Sequence, residues 1–300
     1  MKVLVLSGGT GTPKLLLGLR RLIPEKNVTV IANVGEDLWI SGNLVSPDID
    51  SILYLLSGQI DARRMWGVKR DTFATHRRLA ALGWREPLAL GDLDRATHIA
   101  RSEGLRSGLT LTQATAALAR KMGVKARVLP ATNGPVATLI RTPAGEVHFQ
   151  EFWVARGGRP RVLGVRYATG HGSRPTPEVL RALRAHDTLL IGPSNPATSI
   201  GPILAVLGRH ARRKRVVAVS PIVGNRPVSG PAGKLLRGMG YPVSPRGLLR
   251  FYGDRLGVPP EALLVDPGDA DPGAGLHPAP LLMKSPSQAA RLARRVLEFL

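Results

Sequence analysis

The apolar run Lys2-Val3-Leu4-Val5-Leu6 passes directly into Ser7-Gly8-Gly9-Thr10-Gly11-Thr12-Pro13-Lys14. A short strand with no polar face is one buried on both sides, as in a parallel sheet. Glycines permit the sharp turn that follows, and a proline suits the first turn of a helix. Strand, turn and helix together gather bare backbone N–H groups and the positive end of a helix dipole at one point, which suits a phosphate.

The pattern recurs. Apolar, β-branched runs at 28–32, 188–191 and 215–219 join the one at 2–6, and helical patterns at 13–22, 199–208 and 231–239 follow three of them. This alternation predicts an α/β fold, a doubly wound and mostly parallel Rossmann-like sheet with ligands at the carboxyl ends of its strands. Residues 1–300 are expected to form a single domain. Within it, 51–125 reads as a helical insert, with apolar residues at helical spacing in 51–56, 72–82, 96–102 and 111–122. From 127 to 167 the pattern shortens into a small β-rich segment, with Pro143-Ala144-Gly145 as a hairpin turn. Residues 267–280 read as a loop, and 287–299 as a basic amphipathic closing helix.

Composition removes several classes of function. Cysteine is absent, which excludes disulfides, thiolate catalysis and cysteine-bound zinc. No run reaches the length of a membrane span, and Met1 leads straight into a strand, so the expectation is a cytoplasmic protein with no membrane partner. Lys and Arg number 42 against 21 Asp and Glu, a formal charge of +21. Such an excess attracts polyanions. Arginine is nevertheless spread along the chain, Arg212-Arg213-Lys214-Arg215 is its one dense run, and aromatics are 4% of residues. Stacking platforms for nucleic acid are therefore scarce, and an acidic small-molecule substrate is the better match.

Four loops hold the candidate chemistry. In the first, Gly8, Gly9, Thr10 and Gly11 offer amides and Lys14 a cation. A dinucleotide fingerprint would place glycine at Lys14 and an acid at Asn33, so NAD is disfavoured. The second, Asn33-Val34-Gly35-Glu36-Asp37 followed by Ser46-Pro47-Asp48-Ile49-Asp50, carries four carboxylates just beyond a strand end. As a group of four these hard oxygen ligands beside phosphates suit Mg²⁺ or substrate, whereas Asp48 or Asp50 alone reads rather as a helix cap. The third and fourth are Gly192-Pro193-Ser194-Asn195-Pro196 and Ser220-Pro221-Ile222-Val223-Gly224-Asn225. Their serine and asparagine side chains suit phosphate, ribose or a base edge, or serve as turn caps. His98 follows the polar stretch Gly91-Asp92-Leu93-Asp94 and is either a general base or structural. No Gly-x-Ser-x-Gly, His-Glu-x-x-His or kinase-type loop occurs.

In this order, these segments resemble the 2-phospho-L-lactate transferase family over nearly the whole chain. The most specific stretch is Gly192-Pro193-Ser194-Asn195-Pro196-Ala197-Thr198-Ser199-Ile200-Gly201-Pro202-Ile203, supported by Ser46-Pro47-Asp48-Ile49-Asp50 and Phe149-Gln150-Glu151-Phe152. The resemblance implies a Mg²⁺-dependent transferase in the biosynthesis of the deazaflavin coenzyme F-420. Its donor is a diphosphate joining lactate or enolpyruvate to guanosine. Its acceptor is the ribityl hydroxyl of the deazaflavin Fo, and GMP leaves. It further implies that Gly8, Gly9, Thr10, Gly11 and Lys14 hold the donor phosphates. Asp37, Asp48 and Asp50 would bind Mg²⁺ or steer the hydroxyl, with Asp50 nearest to it as proton acceptor or orienter. Asn33, Ser194, Asn195, Ser220 and Asn225 would bind the donor, and Trp66, Asp92 and His98 would wall the deazaflavin. A homodimer is expected. Glu36, Leu93 and Asn133-Gly134 depart from the family pattern and put acceptor contacts in question. Two alternatives stand beside this reading: a non-catalytic nucleotide-sugar-binding regulator of related fold, and a basic nucleic-acid-binding protein.

Overall fold

The computed structural model describes residues 1–212 and 214–300; Arg213 of the basic run lies outside the described residues. β1 (Val3–Ser7) leads through the glycine turn into α1 (Gly11–Leu19), and β2 (Val28–Ala32) pairs beside it in parallel. A short hairpin of β3 (Leu38–Ile40) and β4 (Asn43–Val45) precedes α2 (Pro47–Leu56), α3 (Ala74–Ala81), α4 (Asp92–Arg106) and α5 (Leu111–Lys121). β5 (Arg127–Pro130) returns to the main sheet. β6 (Val136–Thr142), β7 (Gly145–His148) and β8 (Gly164–Thr169) form a separate antiparallel sheet in the order β7-β6-β8. Next come α6 (Pro177–Arg184), β9 (Thr188–Ile191), α7 (Gly201–Leu207) and β10 (Arg215–Val219). The hairpin β11 (Ile222–Val223) and β12 (Arg226–Pro227) leads to α8 (Ala232–Gly238) and α9 (Pro245–Leu256). β13 (Ala262–Val265), β14 (Leu276–Pro278) and α10 (Pro286–Leu297) close the chain.

The main sheet has seven parallel strands in the order β14-β13-β10-β9-β1-β2-β5. It is the doubly wound Rossmann-like α/β architecture that the strand pattern predicts. Every residue of β1, β2 and β13 is buried, because helices cover both faces. From β1 the chain steps outward to β2 and β5, then crosses back to start β9 on the other side. The strand order therefore reverses between β1 and β9. In such sheets, ligands bind outside the carboxyl ends of the strands at that reversal. The glycine turn after β1 and the Ser194 loop after β9 meet at this point.

Two expectations at the sheet edges are corrected. Residues 127–129 belong to the main sheet as β5 rather than to the small β-rich segment. The 267–280 stretch contains an edge strand, β14, after two short 3₁₀ turns. The hairpin at Pro143-Ala144-Gly145 is present, with Thr142 opposite Gly145. The closing helix packs along α1. A Cβ on Gly18 would lie 2.1 Å from the carbonyl oxygen of Ala289, so only glycine permits this approach.

Candidate active site

A cavity of about 630 Å³ opens at the carboxyl edge of the sheet. One wall carries Gly9, Thr10, Gly11 and Lys14, another Asp48, Asp50, Asp94 and His98, and the apolar surfaces of Trp66, Phe149 and Trp153 face it as well. Trp66 and Trp153 are 42% and 41% exposed, which places these large rings at the mouth.

The floor is three loops sewn together by buried side chains. Ser194 donates to the carbonyl of Gly8, accepts the amide of Thr12 at 3.1 Å, and lies 2.6 Å from the Thr12 hydroxyl. Gly11 sits so close to this loop that a Cβ would meet the Pro193 carbonyl oxygen at 1.9 Å. Asn33 donates to Asp48 at 2.7 Å and to the Thr198 carbonyl at 3.1 Å, and it accepts the Gly35 amide at 2.9 Å. The second oxygen of Asp48 accepts the Gly9 amide at 2.6 Å. Asn195 caps the turn beyond β9 through Ala197 and Thr198, and Ser220 closes its own turn on Ile222.

These contacts refine the expected roles. Gly9, Thr10, Gly11, Lys14, Asp48, Asp50, His98, Ser194, Asn195 and Ser220 all line the cavity. The hydroxyls of Ser194 and Ser220 are already engaged with backbone, so their side chains build the loops. Gly8 and Asn33 lie behind the wall as supports. Asp92 and Asn225 are not brought to the cavity. Asp92 is half-buried and caps the start of α3, accepting from the amides of Ala74 (2.9 Å) and Thr75 (3.0 Å). Asp71 returns the favour at the start of α4, accepting from the amides of Leu93 and Asp94. Asn225 is exposed in the β11–β12 turn. Of the three departures from the family pattern, only Glu36 lines the cavity. Asn133 instead caps α5 through Thr112, and Leu93 points to solvent.

The acidic wall is built by two helix faces. Asp50 and Tyr54 stand one turn apart on α2, and Asp94, His98 and Arg101 share one face of α4. Arg101 is wholly buried and closes both terminal nitrogens on the two oxygens of Asp50 while also reaching the Leu44 carbonyl. His98 Nε2 lies 3.3 Å from Asp50 and 3.2 Å from Asp94, distances of ion pairs, though neither is aligned as a hydrogen bond. Tyr54 donates to Asp94 at 2.7 Å.

Burial and partners divide the carboxyl groups. Burial acts to raise Asp50, but Arg101 and His98 outweigh it and hold the group down at about 2. Burial would also suppress charge on His98, yet Asp50 and Asp94 outweigh it and lift the imidazole to about 9. For Asp48 burial prevails over the hydrogen bonds from Asn33 and Gly9, and the carboxyl is pushed up to about 6. Burial drives Asp37 and Glu36 well above the usual carboxylate range, with the nearby Asp48 adding to the effect on Glu36. Glu36 accepts a hydrogen bond from Gln150 at 2.9 Å, and Asp37 accepts one from Ser46 at 2.8 Å. Asp50 is thus a poor proton acceptor and a permanent charge, while Asp48 is poised close to neutral pH.

The expected metal set of Asp37, Asp48 and Asp50 is not gathered as such. Asp37 lies off the cavity wall, and its second oxygen is buried without a partner. Among the described residues, the group whose ligand atoms all fall within 4.8 Å of one another is Asp50, Asp94 and His98. With its imidazole protonated, this group offers two hard carboxylates, which fits an ion that takes few protein oxygens and completes its shell from phosphates. Tyr54, Asp94, Arg101 and Gln150 were absent from the sequence-based candidates. The i, i+4, i+7 spacing of Asp94, His98 and Arg101 was the available signal.

The family model described as 2-phospho-L-lactate transferase CofD matches residues 3–272. A 2-phospho-L-lactate transferase of Methanosarcina mazei is 51% identical over 258 residues, 85% of each chain. One of Methanopyrus kandleri is 46% identical over 303 residues, covering 99% of this chain and 97% of that one. Among solved structures, a upf0052-family protein of Bacillus halodurans superposes with a TM-score of 0.60 at 22% identity. That match covers 88% of this chain and 80% of the other, a likeness of fold alone. The matched range of the family model and the identity to these relatives show that the chain belongs to the 2-phospho-L-lactate transferase family.

Proposed function

We propose that the chain transfers a phospho-three-carbon-acid group, 2-phospholactyl or phosphoenolpyruvyl, from a guanosine-diphosphate-linked donor to the terminal ribityl hydroxyl of the deazaflavin Fo. GMP leaves, and coenzyme F-420-0 or its dehydro form remains. The observation that carries this reading is that a glycine turn with a lysine, a wall of carboxylates and two tryptophans share one cavity. These are the parts needed for a diphosphate, a phosphorus under attack and a flat ring system.

The hydroxyl oxygen attacks the phosphorus next to the three-carbon acid. The bond from that phosphorus to the oxygen of GMP breaks, and GMP departs with the electron pair. Asp48, pushed up to about 6, takes the hydroxyl proton. The Thr10 and Gly11 amides and Lys14 stabilise negative charge on the phosphate oxygens. Asp50, kept ionised by Arg101, orients the acceptor and the donor across the cavity. Mg²⁺ held by Asp50 and Asp94 would supply further positive charge against those oxygens. Trp66 and Trp153 offer faces for the deazaflavin.

Incubation with the lactyl or enolpyruvyl donor, Fo and MgCl₂ tests the proposal. Chromatography should show GMP appearing in step with a phosphodiester product of the expected mass. Donor that binds but stays intact would overturn it in favour of a nucleotide-binding regulator.

A further inference from the structure

Lys14 is not the sole lysine on the cavity wall. Lys284 also lines it, at the end of a segment 281–284 that runs from β14 toward α10. This segment lies beyond the residues matched by the family model. Neither lysine takes part in an ion pair among the described residues, although arginines elsewhere are extensively paired. A cation left without a carboxylate partner beside a cavity is available to an anionic ligand.

We propose that Lys284 is a second cation for the donor's diphosphate, carried to the site by the packing of α10 against α1. The inference rests on the reading of the cavity as a diphosphate site given above. Three features place the residue. First, α1 and α10 both run from the carboxyl edge of one parallel sheet, so they point the same way. Second, Gly18 meets Ala289 at backbone contact. One helical turn back from Gly18 is Lys14, and one turn back from Ala289 is Ser285, the neighbour of Lys284. The glycine contact thus brings the two lysines to the same level. Third, the Lys284 amide donates to Gln288 at 2.7 Å, while Ser285 accepts the Gln288 amide at 3.3 Å. This reciprocal cap fixes the backbone and leaves the side chain free to reach inward. The ligand class is a nucleoside diphosphate, clasped between the first turn of α1 and the start of α10.

Lys284→Met and Lys284→Arg are compared with the unaltered protein in turnover and in calorimetric titration with GDP. Lys284→Met should raise the donor KM about tenfold, the scale of one charge-assisted contact, while kcat and the KM for Fo stay within about twofold. GDP affinity should fall by the same factor, the loss should shrink as salt is added, and Lys284→Arg should recover most of it. A merely structural residue would shift thermal stability without this split or this rescue. Unchanged donor KM and GDP affinity in Lys284→Met would overturn the inference. If the unaltered protein releases no GMP, the catalytic reading fails instead, and the GDP titration alone then decides for or against Lys284.

Discussion

Arg101 of α4 and Asp50 of α2 form a buried, two-pronged ion pair whose far side faces the cavity. The arginine has no exposed surface, so its charge is balanced inside the protein. A planar guanidinium also fixes the carboxylate in angle as well as position. Asp50 is thereby a fixed electrostatic feature of the wall.

Arg101→Met should lower folding stability by about 3–5 kcal/mol, because it strands a buried carboxylate. Urea denaturation followed by circular dichroism measures this. Arg101→Lys should recover only part of the loss, since an ammonium cannot grip both oxygens.

Asp48 and Asp50 should separate when each is changed to asparagine. Asp50→Asn leaves Arg101 without its counter-charge and His98 with Asp94 alone, and should reduce both stability and GMP release. Asp48→Asn removes a carboxyl pushed up to about 6, so the fold should hold while turnover falls by about 10²–10⁴-fold, the range of general base catalysis. Equal turnover in Asp48→Asn and the unaltered protein would assign the proton elsewhere.

His98 sets a pH dependence on the alkaline side. Its folded value, about 9, exceeds its unfolded value near 6.5, so its contribution to stability is complete below about pH 6.5. It should be lost as pH rises through about 9. Denaturation midpoints between pH 6 and 10 should show this decline, and His98→Gln should flatten it.

Ser194→Ala should cost about 1–3 kcal/mol, because the buried Thr12 amide loses its acceptor. The donor KM should rise through loosening of the glycine turn, whereas the KM for Fo should change little. Asn225→Ala, altering an exposed turn outside the cavity, should leave both unchanged.

The central sheet was legible because its strands are apolar throughout and alternate with helices. β14 was not: Leu276-His277-Pro278 has neither length nor alternation, and it is a strand only because β13 offers it an edge. Helix starts with local caps, such as Thr110 with Gln113 or Ser285 with Gln288, can be read from four adjacent residues. The exchange between Asp71 and Asp92 cannot, since each caps the helix that follows the other. For that reason Asp92 looked like a ligand. Gly9, Thr10 and Gly11 of the glycine loop and the Asp48-Ile49-Asp50 pair were legible as local patterns, and their residues reach the cavity wall. Which carboxylate is free and which is bound depended on Arg101, whose partner lies 51 positions away.

The stitches under the cavity join residues far apart in the chain: Ser194 meets Thr12 across 182 positions, and Thr198 meets Asn33 across 165. A nascent polypeptide emerging from the ribosome therefore carries its glycine turn without the Ser194 brace until the loop after β9 has followed it. Under the proposed function, affinity for nucleotide should appear only after that loop is made, and fragments ending before β9 should have none.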